Sequence, residues 1–273
     1  AVEVEVAVAA QHGQNIRGAG EDVTTGDVLL DAGQVIGAAQ IAALVAHNVR
    51  SVSVYPRPRV AILSTGEELV GYGETPGPAQ LVDSNGPGLA AAATAAGAEV
   101  VHVAHVGDEP DGFLAAMDAL PEADLIMTSG GISMGAYDVV KATLVSRGVC
   151  FESVAIQPGK PQAWGRYRDR TAFIGFPGNP VSALVSFELF GRAAIGRDRP
   201  IAAAILTDLV ERSPGAMRQF LRGRLDNGHV GLVGGPGSHL VSGLARANCL
   251  VVVEEQYETL PAGAQVPVVL LTG

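Results

Sequence analysis

The chain has 273 residues, 48% apolar and 17% charged, with 18 Lys+Arg against 28 Asp+Glu and a formal net charge of −10. At roughly 150 residues per domain this length suggests about two domains, and so large an apolar fraction excludes a wholly disordered chain. The acidic balance argues against an electrostatically driven nucleic-acid binder but leaves room for a local pocket that takes a small anion.

Residues 1–8 alternate apolar and acidic and read as a strand with Val2, Val4, Val6 and Val8 on one face. The stretch lacks the basic and apolar regions of a signal peptide. Beginning without Met and in mid-strand, it suggests a fragment. Short strands are expected within 22–37, with turns at Thr25-Gly26-Asp27 and Asp31-Ala32-Gly33. A helix follows over 38–47 and a strand over 49–55. Pro56-Arg57-Pro58 then breaks the chain, so a partial, β-rich or mixed domain is expected over 1–55.

From Arg59 strands and helices alternate. Strands are expected at 60–63, 100–106, 125–128, 149–156 and 171–174. Helices are expected at 84–97, 111–120, 136–147 and 180–192. Repeated βα units imply a doubly wound, mostly parallel α/β sheet over 56–199. Past Arg199-Pro200 only short strand candidates separated by Gly and Pro remain, apart from one helix near 240–247. They predict a small β-barrel domain over 200–273. Cys150 and Cys249 match no metal spacing and read as buried or half-buried thiols of a reducing compartment. No apolar run reaches the ~18 residues of a membrane span.

In an open α/β sheet, ligands bind beyond the carboxyl ends of the strands. The residues after each strand are therefore informative. They are Ser64-Thr65-Gly66-Glu67-Glu68, Gly107-Asp108-Glu109-Pro110, Ser129-Gly130-Gly131-Ile132-Ser133 through Gly135 to Asp138, Gln157-Pro158-Gly159-Lys160-Pro161, and Gly175-Phe176-Pro177-Gly178-Asn179-Pro180-Val181-Ser182. Four of the five combine glycine with a hydroxyl, an amide or a lysine. Glycine lets backbone N–H groups approach an anion, and a following helix adds its positive end. Four such loops on one edge point to a phosphate or oxyanion pocket rather than to tight turns alone. Lys160, one of only two lysines, would act there as a point charge. Asp108 and Asp138 repel an anion unless they hold Mg²⁺ or orient a water. Asp83-Ser84-Asn85 reads first as a helix-capping cluster. Gly159-Lys160 lacks P-loop spacing, the six histidines lack metal spacing, and Trp164 reads as core or loop packing.

These loops, in this order, resemble the molybdopterin molybdenumtransferase family, of the bacterial MoeA type also found as the E domain of gephyrin. Gly20-Glu21-Asp22-Val23 and Leu244-Ala245-Arg246-Ala247-Asn248 extend the likeness to both flanks. The resemblance implies a central domain like that of MoaB and Mog. It implies a cytoplasmic, Mg²⁺-dependent transferase that inserts molybdate into adenylylated molybdopterin and releases AMP. A homodimer is implied for the full-length parent, with no nucleic acid and no membrane as partner. By motif, Asp108, Asp138 and Lys160 fall on catalytic positions, with Asp138 a Mg²⁺ ligand. Ser64, Thr65, Gly66, Glu67, Asp83, Ser84, Asn85, Ser129, Gly130, Gly131, Ser133, Gly135, Pro177, Gly178, Asn179 and Ser182 fall on pterin- and nucleotide-binding loops. Gln157 and Ser153 stand where many or some members carry lysine, and Glu67 where Asp or Asn is common. The upstream Asp-Gly-Tyr-Ala motif is absent, so a missing N-terminal part is expected. The competing readings are a non-catalytic molybdopterin-binding or scaffold protein, and a molybdopterin adenylyltransferase.

Overall fold

The structure, a computed structural model, describes residues 2–133, 138–168, 170–211 and 216–271. It divides at the proline break into two compact units, residues 1–56 and 57–273. The first unit contains one helix, α1 (Ala38–Ala46), and no strand among its described residues. Gln40 caps α1 by accepting a 3.1 Å hydrogen bond from the Gly37 N–H. The expected turns form: the Asp27 N–H bonds to the Thr24 carbonyl at 3.1 Å and the Gln34 N–H to the Asp31 carbonyl at 3.2 Å. The strands expected at 1–8, within 22–37 and at 49–55 do not. Alternation supplies one apolar face, but a strand also needs a neighbour to pair its backbone, and this unit supplies none. Val2, Val4, Val6 and Val8 are accordingly exposed.

The second unit begins with β1 (Arg59–Thr65), whose residues from Val60 on are all buried, as in a strand covered on both faces. Two short strands, β2 (Leu69–Val70) and β3 (Leu81–Val82), pair in parallel before α2 (Asn85–Ala95). Then come β4 (Glu99–Val106), α3 (Pro110–Asp118), β5 (Leu125–Ser129) and α4 (Val139–Leu144). After these run β6 (Val149–Ser153), β7 (Ile156–Gln157), β8 (Pro161–Tyr167) and β9 (Thr171–Phe176). A helical stretch closes the layer: α5 (Pro180–Ser186), a π-helical turn at Phe187–Gly191, and α6 (Arg192–Ile195).

The central sheet has the order β4-β1-β5-β9-β8-β6. The first four strands are parallel, and β8 runs antiparallel to both its neighbours. Alternate strand residues enter two layers. Val60, Ile62, Met127 and Phe176 pack with Leu89, Ala183 and Phe187 on one side. Leu63, Ile126 and Phe173 pack with Phe113, Met117, Val140 and Leu144 on the other.

β8 escapes the sequence reading because it opens on Pro161 and carries Gly165. It places Trp164 opposite Cys150 of β6. Both side chains are exposed, Trp164 at 46%. Their expected burial fails because this edge of the sheet leaves one face uncovered.

The C-terminal segment contributes β10 (Ile201–Leu206), β11 (Val210–Glu211), β12 (Arg218–Asp226), β13 (His229–Leu232), α7 (Val241–Arg246), β14 (Cys249–Val253), β15 (Thr259–Leu260) and β16 (Gln265–Leu270). Strands β13-β10-β16-β14-β12 pair in series, and β12 returns to β13 to close a five-stranded barrel. Cys249 lies inside it, where burial pushes the thiol pKa up to about 11. β7 leaves the central sheet and pairs with β12. An apolar seam of Ile156, Val181 and Val185 against Phe220, Leu250 and Val269 joins the two bodies.

Phe187 is fully buried and meets Phe176 edge-on at 6.4 Å between ring centroids. Phe187→Ala is expected to lower unfolding stability by about 3–5 kcal/mol, read by urea denaturation.

Candidate functional site

The parallel register sets the site. Ser64 lies opposite Ser129, and Ser129 opposite Phe176, so β1, β5 and β9 end level. The loops that leave them meet around a cavity of about 840 Å³. Its lining includes Thr65, Gly66, Asp83, Ser84, Asn85, Asp108, Gly130, Gly131, Ser133, Asp138, Pro177, Gly178, Asn179 and Ser182, all expected from the sequence.

Asn85 binds the floor together. Its Nδ2 donates to Ser129 Oγ at 2.7 Å and to the Gly178 carbonyl at 2.6 Å. Ser129 Oγ in turn donates to the Pro177 carbonyl at 3.3 Å. Asp83 Oδ1 accepts the N–H groups of Asn85 and Gly86 at 2.9 and 3.0 Å, capping the first turn of α2. Gly130 has φ +92°, and a Cβ there would sit 2.5 Å from the Thr65 carbonyl oxygen. Its N–H bonds to the Phe176 carbonyl at 3.0 Å, so this glycine supplies close approach between loops rather than a free donor.

Four expected site residues lie outside the lining. Ser64 and Ser129, paired side by side near the ends of β1 and β5, are buried beneath it. Glu67 turns to its neighbour: Asp108 N–H donates to Glu67 Oε1 at 3.0 Å, and Glu67 N–H to Asp108 Oδ2 at 3.3 Å. Lys160 is exposed while the adjacent Pro161 lines the cavity. Its loop is nonetheless firmly held. Gln162 Nε2 donates to the Gly159 carbonyl at 2.7 Å and to Ser186 Oγ at 2.6 Å, and the Lys160 carbonyl accepts from the Val154 N–H at 2.8 Å. Gly135 lies outside the described residues.

The sequence reading missed an apolar part of the lining, Leu69, Leu81, Val82 and Ile132, and a wall from the C-terminal segment, His239 and Val241. Hydroxyl, amide and charge were the signals sought, and aliphatic side chains carry none of them. Nor does sequence spacing reveal that the barrel reaches this edge. Arg222 of β12, 5% exposed, was also missed. It donates from Nη1 to the Gly237 carbonyl at 3.0 Å and holds the loop that carries His239. Burial lowers its pKa.

Burial raises the pKa of Asp108, and the carboxylates of Glu68, Glu67 and Asp138 raise it further, against the Glu67 N–H, which lowers it. Among the described residues no three His, Cys, Asp or Glu side chains converge closely enough to cage a metal. Among the described residues no helix is long and apolar enough to cross a membrane.

A three-layer α/β domain whose strand ends frame a glycine-lined cavity, with a small barrel on its flank, defines a class, and known families bear it out. Residues 61–197 match the family described as "Probable molybdopterin binding domain". Residues 206–271 match "MoeA C-terminal region (domain IV)", and residues 1–47 match "MoeA N-terminal region (domain I and II)". Molybdopterin molybdenumtransferase 2 of Mycobacterium tuberculosis is 43% identical over 96% of this chain and 69% of its own length. Molybdopterin molybdenumtransferase of Haemophilus influenzae is 35% identical, over 93% of this chain and 66% of its own. The crystal structure of a molybdopterin biosynthesis MoeA protein from Pyrococcus horikosii superposes with a TM-score of 0.80 at 30% identity. That match covers 93% of this chain and 64% of the archaeal one. The chain belongs to the molybdopterin molybdenumtransferase (MoeA) family and spans about two thirds of the length of these relatives.

Two outcomes follow from this geometry. Gly130→Ala is expected to cost at least about 1–3 kcal/mol, through a strained φ and a clash with Thr65, read by chemical denaturation. Because Asp108 has a raised folded-state pKa, its contribution to stability is full below the unfolded carboxylate range and falls as pH rises through the folded value. Asp108→Asn should therefore be the more stable protein near pH 7, with its advantage vanishing below about pH 4, read from thermal melts across that range.

Proposed function

We propose that the cavity binds adenylylated molybdopterin and that molybdate enters the pterin dithiolene there as AMP leaves. The observation that carries this reading is the convergence of Asp108 and Asp138 on a glycine-lined cavity at the level strand ends of a molybdopterin-binding fold. Its volume of about 840 Å³ falls within the range of sites that bury a small-molecule ligand.

The residues divide the work. The loops at Gly130-Gly131 and Pro177-Gly178-Asn179 close the floor beneath the ligand, and Asn85 fixes their spacing. Leu69, Leu81 and Val82 of the paired strands β2 and β3 offer apolar surface to a flat ring. Asp108 and Asp138 suit Mg²⁺, which commonly takes one or two carboxylates, several waters and substrate phosphate oxygens instead of an all-protein cage. A bound divalent ion would offset the like charge of the two carboxylates, which line the same cavity. When bound, such an ion would neutralise phosphate charge beside the departing nucleotide. Lys160, exposed beside the lining residue Pro161, is the cation that this reading assigns to molybdate or a phosphate. A cytoplasmic location and a homodimeric parent belong to the same reading.

The test is titration with adenylylated molybdopterin, with and without molybdate and Mg²⁺, followed by measurement of released AMP. Asp138→Asn and Asp108→Asn should each lower molybdate-dependent release on the order of a hundredfold or more, while the fold persists. Release that survives both substitutions would refute the assignment. Tight binding with no release, in the longer parent as well, would favour a non-catalytic molybdopterin binder.

A further inference from the structure

Among the described residues, the cavity lining carries four carboxyl groups, Glu68, Asp83, Asp108 and Asp138, and no lysine or arginine. An anionic ligand entering that space needs a countercharge or a donor. A divalent ion near Asp108 and Asp138 would answer the need on the β4 and β5 side and leave the β9 side of the same phosphate group without a donor. Asp108 follows β4, and α5 follows β9, the two outer members of the four parallel strands. Three strand spacings, roughly 14 Å, separate these two loops, and Asp138 stands between them in the loop after β5, the neighbour of β9.

At the α5 end stands His239, the one described lining residue whose side chain can carry positive charge. Its loop is tied to both bodies. The Ser238 carbonyl accepts the Val181 N–H of α5 at 3.0 Å. The Gly237 carbonyl accepts Arg222 Nη1 of the barrel at 3.0 Å. The His239 carbonyl accepts the Val241 N–H at 3.0 Å. All three anchors are backbone carbonyls, so the loop is fixed without using the imidazole.

We propose that His239 is a ligand-contacting residue. It donates a hydrogen bond to the nucleotide phosphate and sets the preference of the cavity for a phosphorylated over an unphosphorylated ligand. The proposal rests on the reading of the cavity as a site for an adenylylated ligand.

The experiment is calorimetric titration of this chain with AMP and, separately, with adenosine, repeated for His239→Gln and His239→Lys. Circular dichroism melts verify that each variant folds. His239→Gln should weaken AMP binding about tenfold and leave adenosine unchanged, and His239→Lys should keep the affinity for AMP. AMP binding unaffected by His239→Gln, or AMP and adenosine weakened equally, overturns the role of His239 while leaving the cavity reading in place. Failure of the unsubstituted chain to bind AMP overturns both.

Discussion

The shared register of three parallel strands is the constraint on which the site depends. Because Ser64, Ser129 and Phe176 stand in line, the loops that leave them start at the same height. They are then forced together. Only glycine tolerates the approach of the Gly130 backbone to the Thr65 carbonyl, and a single amide, that of Asn85, spans what remains. The register itself comes from packing. A slip of one residue along β1 would move Val60 and Ile62 out of one buried layer and Leu63 out of the other.

Charge is the second organising fact. A cavity ringed by carboxylates is a poor host for phosphate until a cation joins it, and Asp108 is held above the usual carboxylate pKa first by burial and then by the carboxylates around it. The clasp between Asp108 and Glu67 has a related effect. Each carboxylate accepts the other's backbone N–H, so the two loops are locked together. A contact of this kind lowers the entropy a ligand would lose in ordering the two loops.

Much of this was legible in the sequence. The continuous apolar run at 60–63 and the glycine-bearing loops announced the sheet and the edge where the cavity lies. What stayed hidden depends on partners that a linear reading cannot see. Alternating valines at the N-terminus promise a strand, yet the first unit offers nothing for them to pair with. Ser64 and Ser129 look like ligand donors by type, yet they lie under the loops they introduce, and Ser129 spends its hydroxyl on Pro177. Gln157 looks like the loss of a positive charge. In place it accepts a 2.9 Å hydrogen bond from Gln219 and stitches the central domain to the barrel.

The strand β7 bears on modularity. The chain passes from the central sheet into the barrel's sheet at Ile156–Gln157 and back again at Pro161, well before the barrel's own sequence begins at Ile201. The barrel is thus grafted onto its host by a segment borrowed from it, and the Lys160 loop is the return path. Cutting the chain after Pro200 would not yield a self-contained central domain. It would leave β7 without a partner and bare the apolar seam at Ile156, Val181 and Val185. Exchange of barrels between relatives is in turn limited to those whose β12 can still accept this strand.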